Sequence, residues 1–580
     1  MSHTQVSAVL QVLRTHPCLS SLPKDCRTLL KTPRTTHPTF NIAGGEYLHL
    51  GFEAGILSIL QQTCPELIPR DTLMIDCSTD GVTLDVQGKI QMWPIQIRIA
   101  NIPRNKPEIV GIWRGSSKPT NAQELFQHFV DEVRDVLNRE GIIFHNQLKL
   151  IKMRCFIADS PARAFVLGHK GHGSIFPCSK CWIRGNWLRR GVVVYRGIQH
   201  RSRTDEEYRQ KIDGEHHTDS DSVLLTLGMG LITQTVFDYM HIVCLGVVPK
   251  INSVFVDGKY NPSLKLSTRL LEIMTTCLQH VHNYCPKEFS RKPQLIKKYG
   301  GFKATENRHL LLYTAPAVYY GLINPAAYKH FLLLHSAIRV LVSSSLSEDR
   351  LDFAHTALSI FVNRAEDIYG PEFLSYITHC LLHLVDDVRR FGSLNELSMF
   401  PYENNMTYFR KVCRKPHQHL QQIINRRFEK FQVPQNINIT EEVMRSTRPW
   451  VSPVVFNAPL DSRQFQILDT GKFRISVKNQ DNTIILQNSK IYLVQSIILS
   501  REHYQLAVKE FCRVEDFFDV GLPSSSLGVF RCSVLSDEVI IVDLNEVHSK
   551  CFRMPYWHTE WHTDPIVDVW VVAVILHTRD

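Results

Sequence analysis

The 580 residues carry 66 Lys and Arg against 56 Asp and Glu, a net charge of +10, with 44% hydrophobic and 21% charged content. That balance excludes a disordered or collagen-like chain and supplies buried cores for roughly two to four domains. The mild basic excess fits a nucleic-acid partner but does not demand one.

The 15 cysteines are scattered and odd in number. Met1 to Arg14 holds only one short apolar stretch, so no signal peptide is expected. No run of about 18 apolar residues is read, so no membrane span is expected. A reducing compartment follows, where a close cysteine pair reads as a metal site rather than a disulfide.

In chain order, 1–70 reads as a helical and basic region. Val6, Val9, Leu10, Val12 and Leu13 recur as in a helix, 27–34 is basic, and a second helix is expected over 46–63. Residues 71–185 read as three strands, a helix and a fourth strand. The strands run through Leu73-Met74-Ile75, through Ile90 to Ile99, and through Ile109 to Trp113. Pro94 argues for an edge or a bulge. Leu125, Phe126, Phe129, Val130, Val133 and Val136 give the helix, and Gly141 stops it. Leu148 to Ala158 is the fourth strand, followed by a helix with Ser160 as its expected cap and Pro161 in its first turn. This β-β-β-α-β-α order, with acids on its first and last strands, is what a ribonuclease-H-like core requires.

Residues 186–375 read as a helical insertion, too long for a loop. Helix returns over 376–435. From 436 to 580 short strands separated by turns predict a small all-β barrel. The expected class is therefore α+β: a ribonuclease-H-like core interrupted by a large helical insertion, with a C-terminal all-β domain.

Two-metal phosphoryl transfer needs carboxylates converging on two divalent ions about 4 Å apart. Asp159 ends the fourth strand. Asp80 and Asp76 share one face of the first strand, so spacing alone does not choose between them, although Asp80-Gly81 is better placed beside a turn. Glu403, after Pro401, is a third acid, with Asp386 and Asp387 as rivals. Each of these acids also has an ordinary reading as a cap or a solvated charge. Cys178 and Cys181 form a Cys-x-x-Cys pair, and His379 and His383 sit at i and i+4 on one helix face. Together they make a closed Cys₂His₂ set, structural rather than catalytic. Reduced thiols beside two core histidines are the alternative.

These residues together resemble transposases of the CACTA (En/Spm-type) superfamily, animal-type. The resemblance lies in Leu22 to Arg34, in Thr79-Asp80-Gly81 with Met92-Trp93-Pro94-Ile95, and in Ile157 to Ala162 with Cys178-x-x-Cys181. It continues through Phe237-Asp238-Tyr239-Met240-His241, through Lys303 to Arg308, and through His379-x-x-x-His383 with Phe400-Pro401-Tyr402-Glu403-Asn404. The blocks occur in family order across roughly 20–430. The resemblance implies a DDE recombinase in which Asp80, Asp159 and Glu403 bind two Mg²⁺ (or Mn²⁺). Structural Zn²⁺ would sit on Cys178, Cys181, His379 and His383, and this clasp would bring Glu403 back to the core. Glu306 is the runner-up third acid. Expected partners are double-stranded DNA, as transposon ends and target, and further copies of the chain. The expected location is the nucleus. Basic segments 27–34, 149–154, 289–303 and 410–430 would hold phosphates. The alternatives are a non-catalytic DNA- or chromatin-binding protein that keeps the fold, and a plain nuclease without strand transfer.

Overall fold

The computed structural model describes residues 2–85, 87–432, 444–454, 456–459, 461–557 and 568–577. The boundary drawn at 435/436 lies outside these residues. The fold is mixed α+β with a C-terminal all-β part. The chain divides into two compact units, 1–171 with 203–236 and 399–439, and 172–202 with 237–398 and 440–580.

The first unit is built on β1 (Thr72–Thr79), β2 (Gln91–Ile99), β3 (Glu108–Gly115), β4 (Gln147–Ala158) and β5 (Thr235–Phe237), in the order β3-β2-β1-β4-β5. β1 pairs antiparallel with β2 and parallel with β4, and β2 pairs antiparallel with β3. Two short strands, Phe40–Ile42 and Gly45–His49, extend the β3 edge. The second occupies ground expected to be helical. Gly44 and Gly51 both take positive φ and confine the helix to Phe52–Gln61.

Period-two alternation sends neighbouring residues to opposite faces of the sheet. Tyr47, Trp93, Val110 and Trp113 join one core with α1 (Ala122–Asn138), while Leu48, Met92, Ile109 and Ile112 join a second. The second is completed by Met406 and Phe409 of α3 (Phe400–Val412) and by Leu420, Ile423 and Ile424. α2 (Ser160–Leu167) follows β4 directly. Pro94 lies in an interior strand, not an edge. It sits one residue beyond the last β1 pair, Thr79↔Ile95, and a register shift against β3 follows at Ile95/Gln96. The bulge was expected; the edge was not found.

Asp76 is fully buried mid-strand. Its carboxylate accepts from Arg98 at 3.1 Å and from Arg154 Nε at 2.6 Å. Segment 149–154 is therefore not a free phosphate holder. Arg154 is committed to Asp76, and buried Lys149 donates to the Pro69 and Arg70 carbonyls at 3.1 and 2.7 Å. Removing one member of a buried ion pair strands its partners. Asp76→Ala is expected to lower stability by about 3–5 kcal/mol, read from urea unfolding of the first unit; an unchanged midpoint would count against this role.

The second unit joins helices to a barrel. Strands β6 (Thr483–Leu486), β7 (Ile491–Ser500), β8 (His503–Asp516), β9 (Val529–Leu535), β10 (Val547–Pro555) and β11 (Val569–Val574) pair in the ring β6-β10-β11-β9-β8-β7-β6. Closure leaves none of these six with an unpaired edge. Buried charges tie helix to barrel. Arg339, in Pro325–Val342, donates to the carbonyls of Leu312, Leu527 and Val574 at 2.8, 2.9 and 3.1 Å. Lys550 Nζ lies 2.5 Å from Glu288 and 2.6 Å from Asp481. The span Met240–Asp257 has the length and hydropathy of a membrane helix, and 67% of it is buried inside the protein. Residues 186–194, expected to be helical, form a β-hairpin.

Candidate functional site

The last β1–β4 pair is Ser78↔Ile157, and Asp80 and Asp159 each lie two residues beyond it. Two adjacent parallel strands thus deliver two carboxylates to one end of the sheet. Asp80 Oδ1 accepts from the Gly81 amide at 2.7 Å. A Cβ on Gly81 would lie 2.9 Å from the Trp93 indole, so a glycine is needed for this turn to pack. The Thr79 hydroxyl donates to the Pro94 carbonyl at 2.8 Å. Both blocks of that sequence motif are therefore in contact.

Asp159, not Ser160, is the N-cap of α2. Its Oδ1 accepts from the Ala162 amide at 2.7 Å, while Ser160 and Pro161 are inside the helix. A carboxylate is favoured there by the helix N-terminus, so the acid expected from the sequence to bind metal also serves as the helix cap.

Glu403 lies in the first turn of α3. Its carboxylate comes within 4.8 Å of the Asp80 carboxylate. Asp159 does not join that 4.8 Å grouping. The placement of Glu403 rests on polar contacts that the sequence pattern did not flag. Buried Gln96 donates to the Tyr402 carbonyl at 3.3 Å and accepts from Asn405 at 2.8 Å, and Asn405 also donates to the Pro107 carbonyl at 3.0 Å. The Ser78 hydroxyl meets Met399 Sδ at 3.1 Å. Tyr402, next to Glu403 on the helix, is fully buried.

The rivals have other tasks. Asp76 is consumed by two arginines, as described above. Asp386 is exposed beside Arg389 at 3.8 Å. Asp387 is buried, paired with Lys180, and accepts from the Phe237 amide at 2.9 Å. Glu306 accepts from the Lys303 amide at 2.7 Å, as an N-terminal capping group. Oxygen donors such as Asp80 and Glu403 suit hard divalent ions.

The cysteine and histidine set meets within the second unit. Cys181 Sγ lies 3.3 Å from His379 Nε2, Cys178 Sγ lies 3.5 Å from His383 Nε2, and the two Nε2 atoms are 3.2 Å apart. All four donor atoms fall within 4.8 Å of one another. A tetrahedral zinc with bonds of ~2.0–2.1 Å to nitrogen and ~2.3 Å to sulfur puts nitrogen pairs ~3.3 Å and mixed pairs ~3.5 Å apart. The donor set fits. The Lys180 amide also points to Cys178 Sγ at 3.4 Å, and buried Lys180–Asp387 ties the cysteine turn to the helix that follows His383.

Burial by itself would raise the Cys178 thiol. The hydrogen bond with Cys181 and the His383 and His379 imidazoles hold it well below its ordinary range. Burial lowers His379 below the usual histidine value. Thiolate sulfur and neutral imidazole are the forms a metal takes. Asp238 supports the next segment: it accepts from the Met240 and His241 amides at 3.0 and 2.9 Å and holds His241 Nδ1 at 2.5 Å.

A family model described as a domain of unknown function (DUF8592) matches residues 453–572, most of the C-terminal β part. No curated protein matches the chain.

Proposed function

We propose that this protein is a DDE-type DNA transposase that cuts and joins DNA strands with divalent metal. The observation that carries this reading is the meeting of Asp80 and Glu403 carboxylates within 4.8 Å at the strand end, beside the neighbouring strand end that bears Asp159. The β3-β2-β1-β4-β5 order supports a ribonuclease-H-like core, with Asp80 and Asp159 just beyond the ends of its two adjacent parallel strands.

Asp80, Asp159 and Glu403 would hold two Mg²⁺ or Mn²⁺, which when bound activate a water or 3′-hydroxyl and stabilise the leaving oxygen. The residues' own task is positioning. Gly81 against Trp93 fixes Asp80, the α2 N-terminus fixes Asp159, and Gln96 with Asn405 fixes the turn that bears Glu403. Cys178, Cys181, His379 and His383 would hold structural Zn²⁺. Exposed Arg410 and Lys411 in the last turn of α3, with Arg414 and Lys415 just beyond it, suit phosphate contacts. Double-stranded DNA as element ends and target, assembly with further copies to pair two ends, and a nuclear location complete the proposal.

The test is incubation with DNA carrying the element's terminal repeats and Mg²⁺ or Mn²⁺, beside Asp159→Ala. Cleavage by the wild type alone supports the reading. DNA binding without cleavage by either protein would sink it in favour of a non-catalytic DNA-binding protein. Cleavage without strand joining would reduce it to a nuclease.

A further inference from the structure

Residues Asn186–Arg189 and Val192–Val194 form an antiparallel hairpin, with Asn186↔Val194 and Trp187↔Val193 in register. Arg190 and Gly191 make its turn, and Gly191 takes φ +80°, the conformation such a tip requires. The base of the hairpin is fixed. The Gly185 amide donates to the Ile175 carbonyl at 2.7 Å, and the Tyr195 amide donates to the Leu374 carbonyl at 2.8 Å. The Tyr195 hydroxyl donates to the Ser174 carbonyl at 2.6 Å. A Cβ on Gly185 would strike Val193 and Tyr195, so the two strands approach closely there.

On this anchored ribbon Trp187 is 63% exposed and its neighbour Leu188 is 38% exposed. Tryptophan is ordinarily a largely buried residue, and a rigid exposed indole is the kind of group that anchors an interface. The segment that carries it is basic in its own sequence, although Asp387, Glu372, Glu366 and Asp213 pair with Lys180, Arg189, Arg196 and Arg203. From Cys178 to Thr204 there are seven Lys and Arg and no Asp or Glu. Glu372 holds Arg189 at 2.7 Å and Glu366 holds Arg196 at 2.7 Å, which stiffens the hairpin and its exit. Arg184 and Arg190 are exposed on either side of Trp187 in the chain.

We propose that this hairpin is a stacking element for unpaired bases of DNA, with Trp187 against a base and Arg184 and Arg190 on the flanking phosphates. One planar aromatic face among guanidinium groups is the chemistry that grips single strands. An apolar protein partner or a bilayer would draw on more hydrophobic area than one indole and one isobutyl group supply. The inference rests on the reading of this chain as acting on DNA. It adds a preference for splayed or single-stranded DNA over closed duplex.

Fluorescence anisotropy tests it with the full chain carrying Asp80→Asn, so that cleavage does not intervene. The probes are a short single strand, a forked duplex and a blunt duplex of the same sequence, with anionic lipid vesicles as a fourth arm. Trp187→Ala should weaken single-strand and forked binding about tenfold or more, and Trp187→Phe should retain most of it. Blunt-duplex binding and the melting temperature should be unchanged. Arg190→Ala should flatten the salt dependence of single-strand binding by about 0.7 in log–log slope. Equal loss on all three DNAs, no loss on any, or Trp187-dependent vesicle binding without DNA preference would overturn the proposal. Trp187-dependent fork binding by a wild type that never cleaves would leave this proposal standing and remove the catalytic one. Cleavage that persists alongside unaltered Trp187→Ala binding would do the reverse.

Discussion

Asp80→Asn and Glu403→Gln should each reduce metal-dependent DNA cleavage by about 10²–10³-fold while DNA binding persists. A bound metal ion contributes several kcal/mol of transition-state charge stabilisation, and each 1.36 kcal/mol is about tenfold in rate. Both substitutions keep the size of the side chain and remove its charge. The two carboxylates lie within 4.8 Å of one another, so on the proposed reading they would share one cation and their effects should not add: the double variant should be little worse than either single one. Asp76 supplies the contrast. It lies within the strand that leads to Asp80 but is committed to Arg98 and Arg154, so Asp76→Asn should lower stability far more than it changes the metal dependence of the rate. Strictly multiplicative losses for Asp80→Asn and Glu403→Gln would show that the pair does not share an ion.

The second large effect concerns the Cys₂His₂ set. The protein should contain about one tightly held zinc per chain, and Cys178→Ser or His379→Ala should abolish it. Structural zinc sites bind with apparent energies of about 10–16 kcal/mol at neutral pH. If even a quarter of that supports the fold, the melting temperature of the second unit should fall by about 10 °C. A strong chelator should produce the same fall in the wild type and none in the variants. That last comparison separates a metal site from two core histidines, whose removal would also destabilise. Zinc-free protein whose melting temperature ignores the chelator would refute the assignment.

Much of this arrangement was legible in the chain. The alternation of β1 to β4 and the spacing of Leu125, Phe126, Phe129, Val130, Val133 and Val136 are dictated by burial on one or two faces, and burial is what hydrophobic patterning reports. The meeting of Cys178, Cys181, His379 and His383 was readable because a Cys-x-x-Cys pair and an i, i+4 histidine pair are the spacings chelation would demand. The misses have physical causes too. Gly45–His49 was merged into a helix because Tyr47 and Leu48 feed opposite cores, which looks continuous in sequence. Ser160 was preferred as a cap, but Asp159 already offers an acceptor at the position that extended backbone puts just before the helix. Pro94 left an edge or a bulge open because a missing amide weakens a ladder; the bulge is what is found, since the ladder on one side had already ended at Thr79 and a register shift follows at Ile95/Gln96. Gln96, Asn405 and the Lys180–Asp387 pair were invisible because a buried polar group is recognised only by its partner. These partners lie 309 and 207 residues away in the chain.

The cysteine–histidine contacts also set a clock for synthesis. Cys181 and His379 are 198 residues apart, and Cys178 and His383 are 205 apart. Chains grow at roughly 5–20 residues per second, so the thiols leave the ribosome ~10–40 s before the imidazoles they meet in the folded chain. During that interval the nascent chain presents two soft, oxidisable sulfurs, half of the proposed zinc ligand set. The yield of folded protein should therefore depend on the reducing capacity and zinc supply present during translation, and far less on those present once the chain is released.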